Sequence, residues 1–500
     1  MKSFKFILSV FTFVLMGCNN QSIEIYVSPN GNLTNTGNQD SPFSTIQDAI
    51  EKANGYKEDK NDVEINIHLS KGEYRLKTPI KITGALNNVT IIGEGSDKVT
   101  VKGSTLLNLN WKKYNDQIFV AKVKDQVLFD QFFVNGKQPL LARYPNYNEK
   151  GGHWQGHAED AIEPERVKTW KQPKGAIIHA MHSGEWGGFH YEVTQTHEDG
   201  TLELKAGHQN NRPSKMHRKY RMVENVFEEL DSPGEWYLDK ENQQLYYWPV
   251  DGLILNESVL EGVILKHLIE IKGTENAAVK NVSISGIKFE HAQRTLMEDY
   301  EPLLRSDWTI YRGGAVFIEN TENIEVADCE FTNLSGNVIF VSKYNRGVKI
   351  KGNHIHNCGA TAVSFVGDPS AVRSPSFQYS EFVALEEMDT IKGPANNKYP
   401  SKCIVDDNLI YRIGRVEKQV AGVQISMAMD ITVRSNSIYD VPRAGINVSE
   451  GTWGGHIIEY NDVFNTVLET SDHGAFNSWG RDRFWHPNRS VMDKITNDNP

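Results

Sequence analysis

From about Asn281 onward, apolar and polar residues alternate with a period of two in short runs that return at a nearly constant interval. Six segments superimpose: Asn281–His291 (NVSISGIKFEH), Asn323–Asn333 (NIEVADCEFTN), Gly347–Asn357 (GVKIKGNHIHN), Lys402–Arg412 (KCIVDDNLIYR), Asp430–Asp440 (DITVRSNSIYD) and His456–Asn465 (HIIEYNDVFN). Each reads as two brief strands joined by a polar corner. Aligning the corners puts Ile287, Cys329, Asn353, Asn408, Asn436 and Asn461 at one position, with Phe289, Phe331, Ile355, Ile410, Ile438 and Val463 two places later. The steps are 24 (329 to 353), 28 (408 to 436) and 25 (436 to 461). Such a period with strand-like spacing signals a solenoid whose rungs bury side chains on one another. Four Asn at one corner can stack, each amide satisfying the next. The pattern predicts an all-β chain folded as a right-handed parallel β-helix, with residues 256–500 as its main part.

Two longer steps, 42 (287 to 329) and 55 (353 to 408), mark rungs with loops pushed out, roughly Gln293–Gly313 and Gly367–Ser401. Solenoid insertions gather on the binding face, because strands must keep register while corners can grow. These loops are expected to wall a groove.

Residues 22–123 read as earlier rungs, in Asn66–Leu69, Tyr74–Leu76, Ile80–Ile82, Val89–Ile92 and Val99–Val101. They are preceded by a helix that plugs the first rung. Ser44 with Gln47 makes a capping box, and Ile46, Ala49, Ile50 and Ala53 share one apolar face. Residues 124–255 break the pattern. They are rich in Trp, His, Gly and Tyr, close on a strand-turn-strand signal from Glu235 to Pro249, and predict an inserted β-sandwich-like module.

Composition adds few constraints. A balance of 39% hydrophobic and 23% charged residues over 500 positions fits a globular chain with a large core. The net charge of −11, or −13 once Lys2 and Lys5 leave with a leader, argues against nucleic acid and disfavours a strongly polyanionic substrate. Residues 1–18 combine two lysines, an apolar run over Phe6–Met16 too short to span a bilayer, and Leu15-Met16-Gly17-Cys18. The last four resemble a bacterial lipobox, so Cys18 is the expected lipidation site. The chain is then expected in the cell envelope, tethered through a lipid anchor and not spanning. Cys329, Cys358 and Cys403 match no zinc spacing and read as buried, unpaired packing.

Chemistry concentrates late in the chain. After each Asn corner comes a strand: Val363-Ser364-Phe365, Val423-Gln424-Ile425-Ser426, Ile446-Asn447-Val448-Ser449 and Ala475-Phe476-Asn477-Ser478. Alternation turns the apolar members inward and sets Ser364, Gln424, Asn447 and Phe476 outward in a column, a polar strip with an aromatic plate suited to a sugar. From Asn436 to Ile446 is 10 residues, whereas Asn461 to Ala475 is 14. That corner is enlarged and carries Asp472 and His473 beside Gly474, with Trp479, Arg481, Asp482 and Trp485 beyond. Counting back three from Ile446 and from Ala475 places Arg443 level with Asp472. His153, His157, His179, His182 and His190 invite a metal reading. However, strand alternation points His179 and His182 in different directions, and no metalloprotease-like carboxylate motif accompanies them. They read as loop histidines that bind sugar hydroxyls or pack. No metal and no cofactor is expected, structural calcium aside.

The stretch Ser471–Asp482 (SDHGAFNSWGRD), the segment Gly454–Asp462 (GGHIIEYND) and the upstream Phe133–Asn146 (FVNGKQPLLARYPN) resemble bacterial β-helix proteins related to glycoside hydrolase family 141. The resemblance covers most of the chain after the leader. It implies activity as an α-L-fucosidase or xylanase on cell-wall polysaccharide, a polysaccharide or oligosaccharide substrate, and Asp472 as a catalytic carboxylate. Glycoside hydrolysis normally takes two carboxyls, roughly 5 Å apart when retaining or roughly 6.5–9.5 Å when inverting. The resemblance also implies further acids in a later rung, and none follows in that pattern before Pro500. The second carboxyl is therefore expected beyond residue 500, or from Asp482 or Glu450. His473 and Arg443 are expected as orienting or sugar-contacting groups, Asn447, Gln424 and Arg481 as further contacts, and Trp453, Trp479 and Phe476 as stacking plates. Two rivals share the scaffold: a polysaccharide lyase using Arg443, His473 and Arg481, and a glycan-binding lipoprotein without catalysis.

Overall fold

A computed structural model describes residues 22–59, 63–84, 86–123, 129–207, 214–304, 308–378, 381–389, 391–450, 453–478 and 488–498. Short strands wind into rungs with three parallel faces. The first face stacks Ile23–Val27, Ile65–Leu69, Val89–Gly93 and Val279–Ser285, then continues through the later half of Val316–Ala327 to Lys349–Lys351, Ile404–Asp406, Thr432–Arg434 and Ile457–Glu459. The second runs from Gly72–Arg75 through Val99–Lys102, Lys288–Glu290 and Glu330–Phe331 to His354–His356, Leu409–Tyr411, Ser437–Tyr439 and Asp462–Phe464. The third takes Ile80–Thr83, Ile269–Lys272, the first part of Val316–Ala327, Ile339–Arg346, Val363–Val366, Ala421–Ser426, Ala444–Val448 and Phe476–Ser478.

Alternation explains the core. Ile350, Val405 and Val433 occupy one inward column of the first face, and Ile355, Ile410 and Ile438 one of the second, all with no exposed surface. Each side chain buried this way contributes about 1.5–3 kcal/mol. The Asn corners stack as the repeat predicts. Asn353 donates its backbone N–H and Nδ2 to Asn408 Oδ1 (2.9 and 3.0 Å), Asn408 does the same to Asn436 (3.0 and 2.9 Å), and Asn436 to Asn461 (3.0 and 2.9 Å). Cys329, one rung earlier, donates its backbone N–H to Asn353 Oδ1 at 3.0 Å.

The plugging helix spans Ile46–Asp59 and buries Ile46, Ala49, Ile50 and Ala53. Its cap differs from the expected one. Asp48 donates its backbone N–H to Thr45 Oγ1 at 3.2 Å, so Thr45 and Asp48 replace Ser44 and Gln47. Both pairs have the required spacing, and the apolar face selects between them by setting where the helix begins.

Strands between Ser104 and Val263 form three further sheets in which antiparallel pairing dominates. They take in Ser104–Leu106, Lys112–Lys113 and Phe119–Lys122 before residue 124, and Leu260–Val263 after residue 255. The solenoid resumes when Ile269–Lys272 pairs in parallel with Ile80–Thr83. Of the two loops, Gln293–Gly313 holds a ribbon of Tyr300–Pro302 against Thr309–Tyr311. Its Trp308 is fully buried in a cluster with Phe317, Phe340 and Val366 of the third face. The other loop, between Gly367 and Ser401, carries two 3₁₀ turns, Pro369–Ala371 and Leu385–Glu387. A helix over Arg489–Asp498 follows the last described rung, where the strand pattern predicted none.

Candidate active site

The third face and the corners feeding it hold the sequence-selected groups. Their register differs from the expected one at the last rung. Ile446 pairs with Phe476 and Asn447 with Asn477, whereas counting corners aligned Ile446 with Ala475. A one-residue slip exchanges the two faces of a strand. Phe476 therefore takes the inward column of Ile446 and is not a plate on the outer strip; its 52% exposure reflects its place on the last described rung. The same slip sets Arg443 level with His473, not with Asp472.

Gln424 and Asn447 do point outward, but not to solvent. Both are fully buried, as is Ser364. Asn477 Nδ2 donates to Asn447 Oδ1 (2.9 Å), Asn447 Nδ2 to Gln424 Oε1 (2.9 Å), and Gln424 Nε2 to Ser449 Oγ (2.5 Å). The expected sugar-facing strip is thus a second amide ladder over Gln424, Asn447 and Asn477, while the buried Ser364 Oγ has no hydrogen-bond partner among the described residues. Glu450 is likewise buried, at the far end of its strand from Arg443. It accepts from Ser426 Oγ (3.0 Å) and from the Met427 backbone N–H, so the structure does not bring it to Asp472. Trp453 is half-buried against Tyr399, with ring centroids 4.6 Å apart. Cys18, Trp479, Arg481 and Asp482 lie outside the described residues.

Asp472, His473 and Arg443 do converge. His473 Nδ1 lies 2.7 Å from Asp472 Oδ1, and Arg443 Nη2 lies 3.4 Å from that oxygen and 3.2 Å from each His473 ring nitrogen. The arrangement is layered: the Asp472 side chain is 46% exposed, while those of His473 and Arg443 are 1% and 0% exposed. Trp308 stands behind them, its ring 4.8 Å from the Arg443 guanidinium carbon. Burial alone would raise the Asp472 pKa. The His473 hydrogen bond and the charges of Arg443, His473 and His182 outweigh it and hold the carboxyl below its usual range.

The enlarged corner is pinned from two sides. His473 at φ 101° and Gly474 at φ 79° turn the chain into the final strand; glycine adopts such angles without steric penalty. Ser471 donates its backbone N–H to Glu185 O and its Oγ to Gly184 O, both at 2.9 Å. Glu469 pairs with the buried Lys418 (2.9 Å) and accepts the Trp154 backbone N–H (3.0 Å). The inserted module therefore helps to set Asp472. Sequence reasoning missed Glu185, Trp308 and the bearing of His182 on Asp472. No local signal marks them, because the contacts join segments up to 287 residues apart.

The other tempting histidines have structural partners. His179 and His190 face each other with Nδ1 atoms 3.1 Å apart, and His179 Nε2 lies 3.0 Å from a Glu224 oxygen. Burial lowers the pKa of both, and that of His153 to about 4. Among the described residues one group, Glu330 with His354 and His356, brings potential metal-ligand atoms within 4.8 Å of one another. Lys288 and His356 already engage Glu330.

Residues 267–484 match the family model described as a right-handed β-helix region. The fold is a right-handed parallel β-helix. A solved structure described as a glycoside hydrolase is similar to this β-helix at 18% identity and a TM-score of 0.69, over 88% of this chain and 83% of that one. A structure of XylC in complex with xylose aligns at 14% identity and a TM-score of 0.44, over 88% of this chain and 62% of that one. No curated protein sequence matches the chain.

Proposed function

We propose that this β-helix hydrolyses glycosidic bonds in a polysaccharide or oligosaccharide, with fucose- or xylose-containing chains as the first substrates to test. The observation that carries this reading is the layering at the enlarged corner: an exposed Asp472 carboxylate backed by buried His473 and Arg443. A carboxylate held anionic suits a nucleophile or general base and does not suit a general acid, which needs a raised pKa. The likeness to a structure described as a glycoside hydrolase, over most of both chains, agrees with the reading.

A second carboxyl must then protonate the leaving group. Among the described residues Glu185 is the one to test, since its backbone carbonyl accepts the Ser471 N–H; its carboxylate is 37% exposed and lies 3.6 Å from His217 Nε2. Asp482 is the alternative. The same layering weighs against a lyase, which would need His473 or Arg443 as an exposed base where the structure covers both. Envelope attachment through Cys18 belongs to the same proposal, and mass spectrometry of the N-terminus of membrane-extracted protein tests it.

The deciding experiment is mass spectrometry of products from fucosylated pectin oligosaccharides and from xylan, with wild type, Asp472→Asn, Glu185→Gln and Asp482→Asn. Products that gain one water and vanish with Asp472→Asn support the hydrolase; loss with Glu185→Gln or Asp482→Asn names the partner. Unsaturated products would instead establish a lyase. Binding without turnover, unchanged by Asp472→Asn, would leave a glycan-binding protein.

A further inference from the structure

The inserted module and the solenoid enclose a cavity of about 520 Å³ that the Asp472 chemistry does not use. Tyr147, Trp154 and Gln155 line it from the module, and Asn357, Arg412 and Arg415 from the solenoid corners. A smaller recess of about 220 Å³ shares Tyr147, Gln155, Arg412 and Arg415 with it. The volume is that of an ordinary small-ligand site.

Its charges are unevenly matched. Asp130 and Glu224, the two acids on the larger wall, are both taken by Arg294. Arg143 donates to the backbone carbonyls of Pro145, Trp154 and Gly156, each at 2.9 Å. Among the described residues, neither the Arg412 nor the Arg415 side chain has a hydrogen bond or an ion pair. The smaller recess carries Glu149, Asp440 and Glu469, yet none of these pairs with either guanidinium. Glu469 is held by Lys418, and Asp440 accepts from Asn465 Nδ2 at 3.2 Å. Burial lowers the Arg415 pKa, Glu469 raises it, and the like charge of Arg412 lowers it again. Two cations side by side, neither in an ion pair although Glu469 acts on Arg415 from a distance, are incompletely matched.

A neutral polar group is incomplete in the same cavity. Gln131 is 1% exposed; its Nε2 donates to Ser335 Oγ, but its Oε1 has no partner. Tyr147, on both recesses, keeps 44% of its surface exposed and offers a ring face. Trp154 and Gln155 hold consecutive left-handed backbone angles, φ 50° and 53°, a conformation that non-glycine residues adopt where the surroundings enforce it.

We propose that this cleft binds an anionic sugar unit, its carboxylate or sulfate gripped by Arg412 and Arg415, its ring against Tyr147, and a hydroxyl available to Gln131. Paired guanidiniums match the two-oxygen geometry of both anions. The site needs no chemistry at Asp472, so it stands whether or not the hydrolase reading does.

Isothermal titration of the full chain with trigalacturonate, a sulfated trisaccharide and neutral xylotriose tests this, on wild type, Arg412→Gln, Arg415→Gln and Asp472→Asn. One anion is expected to bind at least about tenfold tighter than xylotriose and to weaken as salt rises from about 50 to about 500 mM. Each arginine substitution should weaken it at least about tenfold, and Asp472→Asn should leave it unchanged. Whichever anion binds distinguishes carboxylate from sulfate. The proposal fails if neither anion outbinds xylotriose, if both arginine variants bind as wild type, or if Asp472→Asn abolishes binding, which would seat the anion at Arg443. Arg412 is exposed, so its variant decides the matter even if Arg415→Gln does not fold.

Discussion

Two edges of the same solenoid solve the corner problem in opposite ways. Where the first face turns into the second, Asn353, Asn408, Asn436 and Asn461 repeat, and each amide answers the backbone and side chain of the rung before it. Where the second turns into the third, Asn recurs only at the first corner position, as Asn333, Asn357 and Asn465, and the residues that lead on into the third face do not repeat. Successive corners bring Glu417-Lys418-Gln419, then Arg443, then Asp472-His473. These polar groups must find partners elsewhere, and they find them in the inserted module and the Thr295–Tyr311 ribbon: Lys418 and Glu469 with Trp154, Glu417 with Tyr300, and Ser471 with Gly184 and Glu185. Identical rungs close an edge. Unlike rungs leave its polar groups to be matched by other segments, and the long insertions cover that same edge.

The largest expected effect falls on the variable edge. Asp472→Asn should lower kcat by about 10²–10⁴-fold with unchanged circular dichroism, the range for losing a proton-transfer group. An equal loss of fold would make that corner structural, like the Asn edge. Because the Asp472 pKa is lowered in the folded protein, the acid limb of the pH–rate profile should lie below the ordinary Asp value. Arg443→Gln should move that limb upward.

The Asn edge should show the reverse: stability lost, chemistry kept. Asn408→Ala removes the acceptor of Asn353 and the donor to Ile350 O, Asp406 O and Asn436. Stranded buried groups cost about 1–3 kcal/mol each, so urea unfolding should report a loss of about 3 kcal/mol or more.

A smaller test uses Glu417, on the rung before Arg443. Burial raises its carboxyl to about 7, against hydrogen bonds from Tyr300 and Thr295. Unfolded, it releases its proton near the ordinary Glu value. Between roughly pH 5 and pH 7 the folded state therefore holds the extra proton, and stability falls as pH rises. Glu417→Gln should flatten that part of a stability–pH curve. A slope that survives would assign it to other groups.

The smallest effect is expected where rings repeat on the outer second face. Tyr411, Tyr439 and Phe464 stack at 5.0 and 4.9 Å with planes 5° apart. Tyr439→Ala should lower stability by about 1 kcal/mol in thermal unfolding, near the added worth of an aromatic pair.

Legibility in the sequence follows the same division of edges. The Asn ladder was readable because identity and interval repeat together, and the Asp472-His473 corner because it departs from that interval. Phe476 was misassigned since a corner of unlike length conceals one residue of slip, enough to reverse a strand. Gln424 and Asn447 point outward as alternation requires, but their burial depends on neighbours contributed by other rungs, Ser449 and Asn477 among them.

Period, composition and alternation by themselves determined the β-helix, its inward columns, its plugging helix and the enlarged corner that carries Asp472 and His473. All of these are near-neighbour properties, set by strand alternation and by contact with the adjacent rung. Only the tertiary structure decided which outward groups meet solvent, that Arg443 stands beside His473, and that Glu185, His182 and the arginine cleft adjoin the solenoid. Those facts depend on how a module inserted after the early rungs packs against rungs some 300 residues later, a packing encoded by no local pattern.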